Sequence, residues 1–232
     1  MICGLRTMQR FAAGQGVDIL FRMPALQEAI ISIKDKNNGK YHRILEAAVM
    51  VFAQQGFYQS TISQIAREAG VADGTIYLYF KNKDDILLQF FTYKTKQVFD
   101  LFREEVAKAD NAVEKLRNLI RRHLEEFQRD KNMAIVYQAE THQNSRSAEP
   151  QIREMSKMYL DIVSEIVEQG QADGSMRKDL YLSLVKRFIL GAVDETINNW
   201  LHSGGKYDLT SMVDPLIDLF IRGIGNNRAD HS

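Results

Sequence analysis

The sequence predicts an all-α protein with a three-helix head and a body of about six helices. Only three of its 232 residues are proline, and none lies between Lys34 and Glu149. Leu, Ile, Glu, Lys, Ala and Gln are abundant, and most of these favour helices. Apolar residues recur at spacings of three and four along most of the chain, and no stretch shows the alternation that indicates a strand.

The start and the end of that periodicity divide the chain. We predict an N-terminal arm at residues 1–34, a head at 35–83, a body at 84–226 and a tail at 227–232. The arm has no clear period, so we expect it to be disordered or not to belong to the natural product. Alternatively, Ile30, Ile31 and Ile33 lengthen the first helix of the head.

Two short helices joined by a glycine turn form the centre of the head. Ser60 or Thr61 can cap the first helix, Gly70 supplies the left-handed turn, and the second helix begins near Asp73. The inward residues are Ile62, Ile65, Ala66, Ala69, Ile76 and Phe80. The outward residues of the second helix are Thr75, Tyr77, Leu78 and Tyr79. This is the helix-turn-helix pattern, whose second helix reads a DNA major groove.

Capping residues and glycines bound the other helices. A supporting helix with apolar residues from Ile44 to Phe52 precedes the pair and ends at Gly56. Asn82, Asn111 and Asp208 can cap body helices. The predicted body helices run from Asn82 to about Ala109, Asn111 to Asp130, Asn132 to Gln143, Gln151 to Gln171, Leu180 to Leu201, and from Asp208 onward.

Composition excludes several classes of protein. Thirty basic and thirty acidic residues give a net charge of zero, although the head carries a local basic surplus of three between Lys34 and Lys83. The single cysteine, Cys3, rules out an intrachain disulfide. No apolar run approaches the roughly 20 residues that span a bilayer, so we expect no membrane contact and a cytoplasmic location.

The head resembles the TetR family of bacterial transcriptional regulators. The likeness lies in Ile44–Ala48, Phe52, Gly56–Thr61, Ile65–Ala66, Ala69–Val71, Gly74–Lys83 and Asp85–Leu87. The resemblance implies a helical body, a homodimer that binds a palindromic operator in double-stranded DNA, and release of that DNA when a small molecule enters the body.

A second resemblance reaches the body and concerns the fatty-acid-degradation (FadR-type) regulators of this family. It lies in Ala72–Lys83, Ile135–Glu140, Asp194–Thr196, Trp200 and Lys206–Leu209. It implies a long-chain acyl-CoA as effector and repression of fatty-acid degradation genes. The sequence departs from the family pattern at Ala72, where a serine usually caps the second helix, and at His142, where we would expect an arginine. We therefore expect Asp73 to cap that helix.

The family's roles, carried onto matching positions, predict the DNA contacts. Thr75 and Tyr77 face the groove, Tyr79 and Lys83 hold phosphates, and Thr61 donates from the start of the preceding helix. Helix geometry adds Gln64 as an outward residue, and Lys81 joins Lys83 in setting affinity and salt dependence. The alternative is that the tyrosines only cover a helix surface.

The candidate ligand-binding residues combine body cations, aromatic residues and buried polar groups. They are Arg121, Arg122, His123, Tyr137, Gln138, Glu140, His142, Arg187, Asp194 and Trp200. Cations suit the phosphates of a coenzyme A headgroup, although solvated surface is the ordinary role of each. No cofactor is expected, and the scattered histidines do not indicate a metal site.

Two further hypotheses concern the last helices. Asp194 and Glu195 follow an apolar run, and buried carboxylates need a cation, a dimer partner or a polar ligand group. We predict that Gln151–Gln171 and Leu180–Leu201 pair with their copies in a four-helix dimer bundle.

Two alternatives to an acyl-CoA-responsive repressor stay open. One is a repressor with another apolar effector, such as a drug or aromatic compound, and the other is a helical enzyme using Asp194 and Glu195. The chain lacks nucleophile and phosphate-loop motifs, so we expect no enzyme.

Overall fold

The computed structural model describes residues 39–142 and 148–224. These residues form α1 (Gly39–Gln55), α2 (Ile62–Glu68), α3 (Asp73–Ile76), α4 (Lys83–Ala107), α5 (Ala112–Arg129), α6 (Lys131–His142), α7 (Glu149–Asp173), α8 (Leu182–His202), a 3-10 turn (Leu209–Met212) and α9 (Val213–Ile224). The described ranges contain no strand, and the all-α prediction is confirmed. The predicted arm, residues 1–34, and the tail, 227–232, lie outside the described residues.

The predicted caps of three helices are confirmed. The side chains of Thr61, Asn82 and Asn111 each accept a hydrogen bond from a backbone N–H three residues later, at the starts of α2, α4 and α5. Gly70 has a φ of 63°, the left-handed conformation that a β-carbon disfavours. Asp208 caps the 3-10 turn that leads into α9, rather than α9 itself.

The body is organised around α4 and α5, which run antiparallel. Near the head, Lys94 of α4 forms an ion pair with Asp130, 2.9 Å from Nζ to Oδ2, just after the end of α5. At the far end, the side-chain amide of Asn118 donates to the carbonyl of Glu105. From His42 onward the chain forms one compact unit, and the rings of His42 in α1 and Tyr93 in α4 lie 4.9 Å apart.

Helix α7 includes Gly170 and extends to Asp173, two residues beyond the predicted end at Gln171. A β-carbon at Gly170 would come within 3.1 Å of the Ala112 β-carbon and closer still to Met176, so this glycine permits close packing inside the helix. The helix ends at Gly174, whose φ is 84°. Among the described residues, no helix combines the length and apolarity needed to cross a membrane.

Candidate functional site

The exposed side of the helix-turn-helix matches the pattern predicted from the sequence. Ile76 and Phe80 are fully buried, whereas Tyr77 and Leu78 are 59% and 79% exposed. Thr75 and Tyr79 are half-buried. Helix α3 is only four residues long, so Tyr77 and Tyr79 stand on the turn that follows it.

Thr61 and Gln64 form a capping box at the start of α2. The Thr61 N–H donates to Gln64 Oε1 at 2.8 Å, and the Gln64 N–H donates to Thr61 Oγ1 at 3.2 Å. Gln64 Nε2 also donates to Gln55 Oε1 of α1. The Gln64 side chain, predicted as an outward DNA contact, is therefore half-buried and bonded within the head.

The expectation that Asp73 caps α3 is wrong. Ala72 occupies the capping position and makes no side-chain hydrogen bond, while Asp73 is the first residue of the helix. The Asp73 carboxylate instead accepts a hydrogen bond from the Ser63 hydroxyl of α2. Asp73 does not cap the helix because its side chain is already inside the first turn, from where it reaches the neighbouring helix. The bond to Ser63 holds the two helices of the motif together.

Lys83 at the start of α4 is bonded to the turn between α1 and α2. Its Nζ donates to the carbonyls of Phe57 at 2.6 Å, Tyr58 at 3.2 Å and Ser60 at 2.8 Å. The same ammonium lies 4.6 Å from the centre of the Phe57 ring. An ammonium has three donors, so these bonds use all of them. Lys81, by contrast, is exposed. Phosphate binding by Lys83 and Lys81 stays a prediction.

The centre of the body holds a cluster of aromatic rings around a buried histidine. His123 of α5 lies 5.0 Å from Phe127 and Tyr159 and 5.5 Å from Phe102, centre to centre. Burial lowers the pKa of His123 to about 3, so the ring is neutral at physiological pH. Tyr159, which is not among the predicted ligand residues, is an inward polar residue of α7 and belongs to this cluster.

Helices α6 and α8 bring three more polar groups to the cluster. Tyr137 packs 5.2 Å from Phe127, and Gln138 Nε2 donates to the backbone carbonyl of Asp194. Burial, and next the charge of Asp194, raise the pKa of Tyr137 and Tyr159, which places the Asp194 carboxyl near both phenols. Burial raises the pKa of Asp194 itself to about 7.

Several buried polar atoms of this cluster have no hydrogen-bond partner among the residues that the structure describes. They are Nδ1 of His123, the hydroxyl of Tyr159 and Oδ1 of Asp194. An unpaired buried polar group costs about 1–3 kcal/mol, so three such groups within one buried cluster mark a place where a ligand can form hydrogen bonds. We call His123, Tyr137, Gln138, Tyr159 and Asp194 the core cluster.

The raised pKa of Asp194 predicts a pH-dependent stability. Its folded pKa of about 7 exceeds the ordinary 3.8, so its favourable contribution is complete below pH 4 and is lost as pH rises through 7. Asp194→Asn cannot ionise. The free energy of unfolding of Asp194→Asn relative to wild type should therefore rise between pH 5 and pH 8 by roughly 2–3 kcal/mol. This corresponds to a rise in relative melting temperature of about 4–12 °C.

The control for this change is Glu195→Gln, because Glu195 is exposed on the same helix. Thermal melts of the three proteins at both pH values give the comparison. A stability difference between Asp194→Asn and wild type that is the same at pH 5 and pH 8 would refute the buried ionisation.

Ligand binding by the other predicted residues stays a prediction, and several of them are exposed or have partners of their own. Arg122 binds Glu126, 2.5 Å from Nη2 to Oε1, and this buried glutamate also pairs with Arg129. Arg121 and Arg187 are exposed, and Glu140 is buried on α6. The Trp200 indole is buried and donates to the carbonyl of Tyr207. The side chain of His142 lies outside the described part of the chain.

The geometry argues against acid-base catalysis by Asp194 and Glu195. Consecutive residues on a helix point about 100° apart. Asp194 Oδ1 is buried in the cluster, whereas Glu195 is exposed and accepts hydrogen bonds from Asn198 and Asn199. The two carboxyls therefore face different environments and do not form an acid-base pair.

An exposed apolar face lies on α8 and α9. Leu184 and Phe188 of α8 are 65% and 56% exposed, and Leu219 of α9 is 66% exposed. The rings of Phe188 and Phe220 lie 5.6 Å apart, which joins the two helices into one surface. Between Arg153 and Glu168 the exposed positions of α7 all carry charges instead, at Arg153, Glu154, Lys157, Asp161, Glu165 and Glu168. The pairing of Gln151–Gln171 and Leu180–Leu201 with their copies in a dimer bundle stays a prediction.

Comparisons with known proteins agree with this architecture. Residues 44–90 match the family "Bacterial regulatory proteins, tetR family", and residues 91–223 match "YsiA-like protein, C-terminal region". The chain is 40% identical to the fatty acid metabolism regulator protein of Bacillus subtilis over 81% of this chain and 96% of that protein.

Two solved structures share the fold and a substantial part of the sequence. The fatty acid degradation regulator FadR from Bacillus halodurans is 36% identical, with a TM-score of 0.75 over 84% of this chain and 99% of that one. FadR from Bacillus subtilis in complex with stearoyl-CoA is 40% identical, with a TM-score of 0.74 over 79% and 99%. Because two family matches together extend from the first described helix to the last, the chain belongs to the tetR family of bacterial regulatory proteins.

Proposed function

We propose that this protein is a homodimeric repressor of fatty-acid degradation genes that long-chain acyl-CoA releases from a palindromic operator. The observation that carries the proposal is the core cluster, in which three buried polar atoms have no partner among the described residues and lie beside aromatic rings. The structural relative FadR from Bacillus subtilis binds stearoyl-CoA, which supports the same class of effector here. Such a regulator acts in the cytoplasm, where it meets operator DNA.

The α8/α9 face supports a homodimer. Gly191 on α8 and Gly223 on α9 are exposed on the same two helices. Apart from each helix's own backbone, no described residue lies within 4 Å of a β-carbon built at either position. Glycines on an apolar helix surface let a second pair of helices approach closely. A four-helix bundle of α8 and α9 with their copies would bury Leu184, Phe188 and Leu219.

Helix α4 connects the core cluster to the head. Phe102 of α4 touches His123 of the cluster, and Lys83 of the same helix bonds to the head. A ligand that displaces α4 therefore changes the distance between the two α3 helices of a dimer, which must be about 34–36 Å to fit successive major grooves. In this proposal residues 35–83 form the DNA-binding head and residues 84–226 form the ligand-binding and dimerisation body.

The test is release of operator DNA, with the operator first selected from random duplexes by the full-length protein. Fluorescence anisotropy then follows the complex during titration with stearoyl-CoA, stearate or coenzyme A. We expect stearoyl-CoA to weaken DNA binding at least tenfold, a coupling of about 1.4 kcal/mol, and the two fragments to have little effect. Release by an aromatic drug but not by stearoyl-CoA would instead favour a repressor of another effector class.

A further inference from the structure

Three unpaired polar atoms of the core cluster come from three different helices. His123 lies on α5, Tyr159 on α7 and Asp194 on α8, and the rings of the first two are 5.0 Å apart. His123 and Tyr159 are only 5% and 3% exposed. Asp194 keeps some residual exposure as a residue, but its Oδ1 is buried. The His123 ring contacts the Tyr159 ring, and the charge of Asp194 raises the pKa of the Tyr159 phenol. We call these three groups, which share one buried region of the body, the polar patch.

The patch supplies hydrogen-bond donors without a positive charge. Tyr159 carries an O–H, and the neutral His123 ring carries one N–H. Burial raises the pKa of Asp194 to about 7, so this carboxyl is protonated in a large fraction of molecules near neutral pH and then donates as well.

The charged groups on the surrounding helices do not bring an unpaired positive charge to the polar patch. Glu140 on α6 is buried and adds negative rather than positive character. Arg122 on α5 is paired with Glu126, and Lys186, about two turns before Asp194 on α8, donates to the Ser164 hydroxyl of α7. A ligand group placed against Asp194 is therefore favoured if it is an uncharged acceptor and disfavoured if it is an anion.

We propose that Asp194, Tyr159 and His123 form a subsite that hydrogen-bonds the uncharged thioester carbonyl of an acyl-CoA and excludes the carboxylate of a free fatty acid. This inference rests on the proposed acyl-CoA response and assigns its selectivity to named side chains. A thioester carbonyl only accepts hydrogen bonds, so it satisfies the Tyr159 hydroxyl and the protonated Asp194 together. A carboxylate would bring a desolvated negative charge beside a second acid.

A ligand–protein double-mutant cycle tests the contact. The two ligands are stearoyl-CoA and S-octadecyl-CoA, a thioether in which a CH₂ replaces the carbonyl. With wild-type protein we expect roughly tenfold weaker binding of the thioether, the effect of one lost buried hydrogen bond. With Asp194→Leu the two ligands should bind within about threefold of each other, whereas Asp194→Asn, which keeps a donor, should retain most of the difference.

Tyr159→Phe provides a second variant that removes one oxygen without changing the shape of the core, in case Asp194→Leu does not fold. We expect Tyr159→Phe to reduce the affinity ratio of stearoyl-CoA to S-octadecyl-CoA as well, by at least threefold. Glu195→Gln, on the exposed side of α8, is the matched control and should behave as wild type. Binding is measured by calorimetry, with melting curves to confirm folding.

Charge discrimination gives an independent readout. Stearate and stearamide have similar size and differ in charge, so their competition against stearoyl-CoA isolates the effect of an anion. Wild type should prefer stearamide more strongly at pH 8 than at pH 6, and Asp194→Asn should lose that pH dependence.

The outcomes separate this inference from the proposed function. If wild type does not bind stearoyl-CoA, the proposed function fails. If wild type binds stearoyl-CoA but removal of the carbonyl lowers the affinity equally in wild type, Asp194→Leu and Tyr159→Phe, the proposed subsite is wrong. The acyl-CoA response then stands.

Discussion

Lys83→Met should weaken operator binding by roughly 10- to 100-fold, because it removes charge-assisted hydrogen bonds worth about 1.5–3 kcal/mol. Three backbone carbonyls of the α1–α2 turn lose the Lys83 ammonium as a donor, at Phe57, Tyr58 and Ser60. That turn leads directly into Thr61 and α2, so its displacement misplaces the whole helix-turn-helix against DNA. Operator affinity at a series of salt concentrations is the measurement.

The salt dependence distinguishes positioning from phosphate contact. The slope of log K against log salt is negative, and each lost phosphate contact reduces the magnitude of this slope by about 0.9. We expect the slope of Lys83→Met to match wild type, and the slope of the control Lys81→Met, at an exposed lysine, to fall. A slope for Lys83→Met that drops by about 1.8 per dimer would show that Lys83 contacts DNA, as the family resemblance implies.

A charge on the α8/α9 face should convert the protein to a monomer. Phe188→Glu and Leu219→Glu place carboxylates at residues that are 56% and 66% exposed in the single chain. In a dimer bundle these carboxylates would be buried without partners. Operator affinity should then fall by more than about 100-fold, because one head binds without the effective concentration that a second head provides.

Lys157→Glu on α7 is the matched control for that experiment, since it places the same charge on the helix that we had first assigned to the interface. Sedimentation equilibrium gives the mass, and anisotropy with the selected operator gives the affinity. Monomers produced by Lys157→Glu, with dimers retained in both α8/α9 variants, would return the interface to α7.

Local chemistry made the head and the helix boundaries predictable. Thr61, Asn82 and Asn111 cap helices because a short side-chain oxygen reaches a backbone N–H three residues on, and this depends on neighbouring residues alone. Gly70 occupies a left-handed turn for an equally local reason.

The long-range contacts were not predictable in the same way. Lys83 meets carbonyls more than 20 residues earlier in the chain, and Trp200 donates to Tyr207 rather than to a ligand. Sequence periodicity alone did not separate the charged outer face of α7 from the apolar outer faces of α8 and α9. Tyr159 carried one usable signal, a hydroxyl among the inward apolar residues of its helix.

The most direct test of the acyl-CoA response is a native mass spectrum of the full-length protein after addition of stearoyl-CoA. The account predicts a dimer that retains stearoyl-CoA, with coenzyme A alone not retained at the same concentration. Protein that binds the selected operator yet keeps its ligand-free mass in stearoyl-CoA would contradict the account.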